Sequence, residues 1–131
     1  MTDERKDKIT IGVTPDGQAL IDAIMTTGWF KEEIDVYLLA ISLAFVHGLI
    51  KSPSEMTGVG TKWSVTVDKG GRLRSLIIGL SEEPVSRPYA HAEARAAAGL
   101  EYLKNRLIDQ HAQLSDLLAA EGIKAPLWSN G

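Results

Sequence analysis

The 131-residue chain contains no cysteine. That absence excludes a disulfide-stabilised scaffold, a thiolate zinc site, an iron–sulfur cluster and a cysteine nucleophile. Positive charge is not in excess either, because 14 Lys and Arg stand against 17 Asp and Glu, giving a formal net charge of −3. Affinity for DNA grows with the number of phosphates that Lys and Arg neutralise. The overall charge therefore does not by itself indicate a nucleic-acid-binding protein.

A membrane-spanning run is also missing from the sequence. Residues 34–50 are the most apolar stretch, but they are shorter than the roughly 20 apolar residues of a spanning helix, and Asp35 lies in their first turn. We predict a buried helix there and no membrane association. The first eight residues are charged rather than apolar, unlike a secretory signal peptide, so we expect a cytoplasmic protein.

Length and composition suit one globular domain. The chain falls in the usual range of roughly 100–150 residues, and 44% of it is hydrophobic. We predict a mainly α fold with a short amino-terminal strand, organised as a single domain over residues 1–131. Its parts are a strand–helix–helix oligomerisation core (8–50), a hinge with a short strand (51–71) and a helical extension (72–131).

The core begins with a strand and a capped helix. Residues 8–13 alternate, which is typical of a strand, and three β-branched residues fall on the same side of it: Ile9, Ile11 and Val13. Thr14 is a candidate N-cap and Pro15 suits the first helical position. We expect Gly28 to end this helix. The aromatic residues that follow, Trp29 and Phe30, are predicted to pack in the core.

The second helix is acidic in its first turn and then apolar nearly all round over residues 36–46. Such a helix must be covered on every side. In a chain this short, the simplest cover is a second copy of the protein, so we predict a homo-oligomer. The predicted interface residues are Ile9, Ile11, Val13, Leu39, Leu43 and Val46.

The second half predicts further helices. After a loop at 51–61, residues 62–67 alternate like a strand, and Leu73, Leu76, Ile77 and Leu80 match helical spacing over 72–80. A proline-containing linker at 81–88 precedes an alanine-rich helix over 89–107 and a final helix over 109–120. We expect the tail to dock through Leu127 and Trp128.

No catalytic motif stands out. The three histidines (His47, His91 and His111) are scattered, and the neighbouring acidic pairs at 32–33 and 82–83 suit helix starts or loops. Gly58 and Gly60 begin like a dinucleotide fingerprint, but the third glycine and the strand-before-helix order are missing. We therefore predict no catalytic residue, no metal site and no cofactor.

Residues 8–47 run in the order strand, capped helix, glycine-containing turn and longer apolar helix. In order, length and apolar phase they resemble the ribbon–helix–helix superfamily. The resemblance implies that two chains pair their strands, interlock their helices and insert the ribbon into the DNA major groove. It directs Arg5 toward phosphate, and Lys6, Lys8 and Thr10 toward base edges. Glu32 and Glu33 oppose phosphate binding at the start of the second helix.

A second resemblance covers more of the chain. Residues 30–48, with Asp35 and Gly48, look like the central helix of small accessory proteins associated with bacterial DNA phosphorothioation systems. Residues 73–80 and 89–103 are similar to the second half of those proteins. The resemblance implies an oligomer that accompanies DNA-modifying or restricting enzymes.

These observations predict a non-catalytic, self-associating accessory protein of a bacterial DNA-modification or anti-phage defence system. Such a protein can contact duplex DNA through its ribbon and larger proteins through its helical half. The alternative is a ribbon–helix–helix transcriptional regulator in which residues 62–131 form an oligomerisation or effector-sensing extension. A small-molecule enzyme is a third class, and it needs a deep polar pocket for which the sequence offers no candidate.

Overall fold

The protein is mainly helical with a short amino-terminal strand, as the sequence predicts, and this strand belongs to a two-stranded antiparallel sheet. The computed structural model describes residues 8–120. Its strands and α-helices are β1 (Thr10–Val13), α1 (Pro15–Met25), α2 (Glu33–His47), β2 (Gly60–Ser64), α3 (Arg72–Leu80), α4 (Pro88–Lys104) and α5 (Leu114–Ala120). Leu127 and Trp128 lie outside the described residues.

Helix α1 begins as its cap residues predict. The Thr14 hydroxyl accepts a hydrogen bond from the Gly17 backbone N–H at 2.9 Å, and Pro15 occupies the first helical position. The two aromatic residues after this helix differ in burial, because Phe30 is buried whereas Trp29 is 43% exposed. The prediction that both would pack in the core is therefore correct for Phe30 and wrong for Trp29.

Helix α2 is covered within the same chain. Its apolar residues are buried chiefly against α4, and the Leu39 and Leu43 side chains have no exposed surface. The two helices approach so closely that a Cβ atom on Gly99 would lie 1.8 Å from the Ala40 carbonyl oxygen. The sequence argument for a second copy as the cover of α2 thus loses its premise, because α4 supplies that cover.

Strand β1 pairs with β2 of the same chain, with Thr10 opposite Ser64 and an irregularity between Ile11 and Gly12. Ile11 is fully buried, whereas Ile9 is 77% exposed and does not pack in the core of its own chain. The regular strand starts one residue after it, and alternation does not extend to that position.

The second strand is shorter than its alternating sequence predicts. β2 ends at Ser64, and residues Val65–Val67 form a 3₁₀ turn instead. The Ser64 hydroxyl caps this turn by accepting a hydrogen bond from the Thr66 backbone N–H. A polar side chain therefore ends the strand where the hydrophobic pattern alone continues it.

Helix α3 matches its predicted bounds and is fastened at its start by Asp68. That carboxylate accepts hydrogen bonds from the backbone N–H groups of Leu73 (2.7 Å) and Arg74 (3.1 Å) and from the Tyr89 hydroxyl (2.8 Å). One side chain therefore satisfies the helix start and ties it to the first turn of α4.

The last two helices are shorter than predicted. α4 passes into a π-helical turn at Asn105–Asp109, and His111 adopts a positive φ of 54° before α5 begins. Over residues 8–120, no helix is both long and apolar enough to cross a membrane.

Replacing a helical glycine with alanine should have opposite effects on the free energy of unfolding at Gly99, which lies in the α2–α4 contact, and at Gly79, which does not. Gly99→Ala should lower the free energy of unfolding by about 1–3 kcal/mol, because the added methyl group must push α4 away from α2. Gly79→Ala, with nothing within 4 Å of its Cβ, should raise it by about 0.5–1 kcal/mol. Urea unfolding followed by circular dichroism measures both values, and a Gly99→Ala protein as stable as the natural one would contradict this packing.

Candidate functional site

The predicted DNA-contacting residues do not form an open basic surface in the described part of the chain. Arg5 and Lys6 lie outside it. The Lys8 ammonium forms a 2.5 Å ion pair with Glu93, and the Glu93 side chain is only 6% exposed. Thr10 is half-buried on β1. Lys8 is thus used in a buried ion pair with α4.

The same carboxylate holds β1 in place. Glu93 Oε2 also accepts a hydrogen bond from the Gly12 backbone N–H at 2.6 Å, and the Tyr37 hydroxyl donates to the Gly12 carbonyl at 3.2 Å. Burial raises the pKa of Tyr37 well above its ordinary value, and the nearby Glu93 charge raises it further. Tyr37 is therefore a neutral hydrogen-bond donor at physiological pH, and this network is structural.

The six predicted interface residues fall into two groups. Ile11, Leu39 and Leu43 are buried within one chain, and Val13 is half-buried. Only Ile9 (77%) and Val46 (55%) expose most of their surface. In this conformation, Ile9 and Val46 therefore offer most of the exposed surface that these six residues could contribute to a contact between copies.

Concave surfaces offer a second way to find a site. A cavity of about 410 Å³ lies at the start of α1, but its cation, Lys51, is already paired with Glu101 (2.6 Å) and Glu55 (3.6 Å). Within residues 8–120, no group of three or more His, Asp or Glu side chains could hold a metal ion. The cation of this cavity is thus neutralised by carboxylates of the same chain.

The larger concavity is a groove of about 780 Å³ between the ends of α2 and α3, the linker that follows α3, and α4. We call it the α2–α3 groove. Its apolar walls include Phe45, Ile50, Leu80 and Val85. Its ionisable side chains are Glu82, Glu83, Arg87, His91 and Arg95. The volume lies within the usual range of ligand sites, about 300–1,000 Å³.

Arg95 is held rigidly against this groove by neutral groups. Its guanidinium carbon lies 4.2 Å from the centre of the Phe45 ring, Nε donates to His91 Nε2 at 3.1 Å, and Nη1 donates to the Leu49 carbonyl at 3.0 Å. Burial lowers the pKa of Arg95, and the Glu82 carboxylate opposes that shift. The side chain remains charged, because an arginine stays protonated at any physiological pH.

His91 completes the arrangement. Its ring is stacked roughly parallel to Phe45, with centroids 6.0 Å apart, and its Nε2 acts as a hydrogen-bond acceptor. Burial lowers the pKa of His91 below its ordinary value of 6.5, and the Arg95 charge lowers it further. At neutral pH the imidazole is therefore uncharged.

Sequence reasoning did not find this groove. His91 and Arg95 are one helical turn apart, so their shared face was available from spacing. Phe45 and Leu49 lie more than 40 residues earlier, and no local pattern connects them with α4. Compared with known proteins, the chain matches no protein-family model, and no curated protein or solved structure is detectably similar to it.

The His91 environment predicts a loss of stability in mild acid. The unfolded chain takes up a proton near pH 6.5, whereas the native chain does so only at lower pH, so the free energy of unfolding should fall as pH drops below about 6.5. His91→Gln should reduce this loss between pH 7.5 and 5.5, measured by urea unfolding.

His111→Asn is the matched control, since His111 is exposed outside the groove and asparagine tolerates its positive φ. Equal pH dependence in the two variants would contradict the assignment to His91.

Proposed function

We propose that the protein is a non-catalytic, self-associating accessory protein of a bacterial DNA-modification or anti-phage defence system. In this proposal it binds a larger protein of the system through the α2–α3 groove. Partner binding rather than chemistry is its activity.

The observation that carries the proposal is where the exposed apolar side chains lie. Among the described residues, six large hydrophobic side chains are substantially exposed, and four lie near the carboxyl-terminal ends of α2 and α3: Val46, Ile50, Ile78 and Leu80. Ile50 and Leu80 line the same groove. Concentrated exposed apolar surface beside a concavity is typical of a protein-binding surface.

The buried carboxylate supports a binding role over a catalytic one. Glu93 is the buried charged side chain of the described chain, and both its partners, Lys8 and the Gly12 N–H, are structural. A catalytic carboxylate needs access to a substrate. Glu93 instead fastens β1 to α4.

The resemblance to accessory proteins of phosphorothioation systems supports the class of partner. The three stretches that carry it, 30–48, 73–80 and 89–103, contain α2, nearly all of α3 and most of α4. These elements contribute the helical walls of the groove, at Phe45, Leu80, His91 and Arg95, and the linker after α3 supplies much of the rest. The stretches that carry the resemblance therefore include the helical part of the proposed binding surface.

Self-association is tested by measuring the mass of the assembly. Light scattering after size exclusion should give a multiple of the 14.2 kDa chain mass at micromolar protein. Ile9→Asp or Val46→Asp should reduce that mass without lowering the unfolding midpoint, because both side chains are exposed. Leu39→Asp is the contrasting variant, since it buries an unpaired charge and should unfold the chain itself. A monomer for the natural chain would contradict self-association.

A ribbon–helix–helix transcriptional regulator is the second candidate, favoured by the observed order β1, α1, α2 and the Thr14 cap. In this conformation, however, Lys8 is paired with Glu93 and β1 with β2. Reading DNA with a ribbon shared between chains requires both contacts to be released.

Fluorescence anisotropy with duplex DNA at two salt concentrations separates the candidates. A regulator should bind tightly, lose affinity steeply with salt, and be weakened by Lys8→Gln and Thr10→Ala. The accessory protein should bind duplex no more tightly than non-specific contacts allow, about 10⁻⁶ M or weaker at physiological salt, and Thr10→Ala should leave that unchanged. Sequence-dependent nanomolar binding would favour the regulator.

A further inference from the structure

We propose that the α2–α3 groove receives a short acidic–aliphatic segment of a partner protein, with one carboxylate of that segment bound by the Arg95 guanidinium. This inference rests on the proposed partner-binding function and deepens it by naming the chemistry of the bound segment. It also assigns Arg95 as the anchoring residue.

The first argument is the state of Arg95. Its direct contacts within residues 8–120 are all neutral, namely the Phe45 ring, the His91 imidazole and the Leu49 carbonyl. Its Nη2 makes no hydrogen bond to the described residues and is not a buried unsatisfied atom, so it is open to solvent. A guanidinium that is fixed in place and lacks a bound anion is pre-organised to accept one.

The second argument is the surface around that charge. Ile50 and Leu80 are about half exposed on the groove walls (46% and 49%), and half-buried Val85 lies on the linker. A ligand that places aliphatic side chains on these walls removes apolar surface from water on both molecules. The groove therefore suits an acidic residue with aliphatic neighbours better than an isolated anion.

The third argument concerns the two acidic residues on the rim. Glu82 and Glu83 are exposed, so water and salt screen them, whereas Arg95 is half-buried and its interactions are screened less. One carboxylate on Arg95 is thus favoured, but a run of negative charges would meet both rim carboxylates. This arrangement selects a single acidic residue in an apolar context, and it disfavours the polyanionic backbone of a nucleic acid.

The position of the Arg95 guanidinium depends on pH through its hydrogen bond to His91. As a neutral acceptor it holds Arg95 Nε, and the charged groups lining the groove near it are Arg95 on α4 and Glu82, Glu83 and Arg87 on the linker. Protonation of the ring removes that acceptor. It therefore loosens the guanidinium but adds positive charge beside it, and peptide titrations belong at pH 7.5, where the ring is neutral.

The test is an NMR titration of the ¹⁵N-labelled full chain with two capped pentapeptides, Ala-Leu-Glu-Leu-Ala and Ala-Leu-Gln-Leu-Ala. The acidic peptide should shift the Arg95 Nε–H signal saturably and bind at least about tenfold more tightly than the amide peptide, because hydrogen bonds between charged groups supply a difference of that size. Arg95→Gln should abolish the difference, whereas Arg72→Gln, an exposed arginine outside the groove, should preserve it.

If Arg95→Gln fails to fold, one variant of a groove wall and one control variant outside the groove test the same inference. Leu80→Glu should weaken the acidic peptide at least about tenfold, because it replaces an apolar contact with a like charge. Trp29→Glu also places an acid on an exposed apolar residue, but one that does not line the groove, and should leave binding intact.

Equal binding of the two peptides, or no binding at millimolar peptide, would overturn the inference. A short DNA duplex that shifts the Arg95 signal while the acidic peptide does not would overturn it in favour of a nucleic-acid site. The mass measurement reports separately on self-association. If the chain is oligomeric but does not bind the acidic peptide, only the groove inference is contradicted. If the chain is monomeric and binds the peptide, only self-association is contradicted.

Discussion

The arrangement of the amino-terminal half depends on one buried carboxylate. An ionised side chain removed from water is strongly destabilising unless charged and hydrogen-bonding partners compensate it. The partners of Glu93 are the Lys8 ammonium and the Gly12 backbone N–H, more than 80 residues earlier in the chain. β1 must therefore lie against α4, and the space between them must stay narrow. A Cβ on Gly12 would lie 3.1 Å from Glu93 Oε2 on α4 and 2.6 Å from the Gly60 carbonyl oxygen on β2, so this position has room for glycine but not for a side chain.

The same helix organises two surfaces because of its period. His91 and Arg95 are four residues apart and share one face of α4, whereas Glu93 lies between them and points to a different face. One face fastens β1, and the other forms a wall of the α2–α3 groove. Further along, Gly99 lets α4 approach the backbone of α2 at Ala40. Consecutive turns of α4 therefore anchor β1, form a wall of the α2–α3 groove and pack against α2 in the core.

Local signals in the sequence predicted local structure well. The Thr14 and Pro15 pair located the start of α1, and the leucine spacing located α3 at its observed bounds. The failures concern which segments meet. The helix that covers α2 is the alanine-rich α4, and the two helices fit because their backbones approach closely rather than because α4 carries large apolar side chains. Hydrophobic patterning therefore does not reveal that α4 packs on α2. The Lys8–Glu93 pair could not be predicted either, because nothing near Lys8 in sequence reveals a carboxylate on α4.

In the α2–α3 groove, Arg95 has a structural role as well as the proposed binding role. α2 ends at Gly48, which takes a left-handed φ of 65°, and the chain then presents the Leu49 carbonyl beyond the helix. Arg95 donates Nη1 to that carbonyl, at the negative end of the α2 dipole, so the guanidinium completes the helix terminus. That bond, together with His91 and Phe45, leaves Nη2 directed to solvent in a fixed orientation. The contacts that stabilise the end of α2 are therefore the ones that prepare Arg95 to bind an anion.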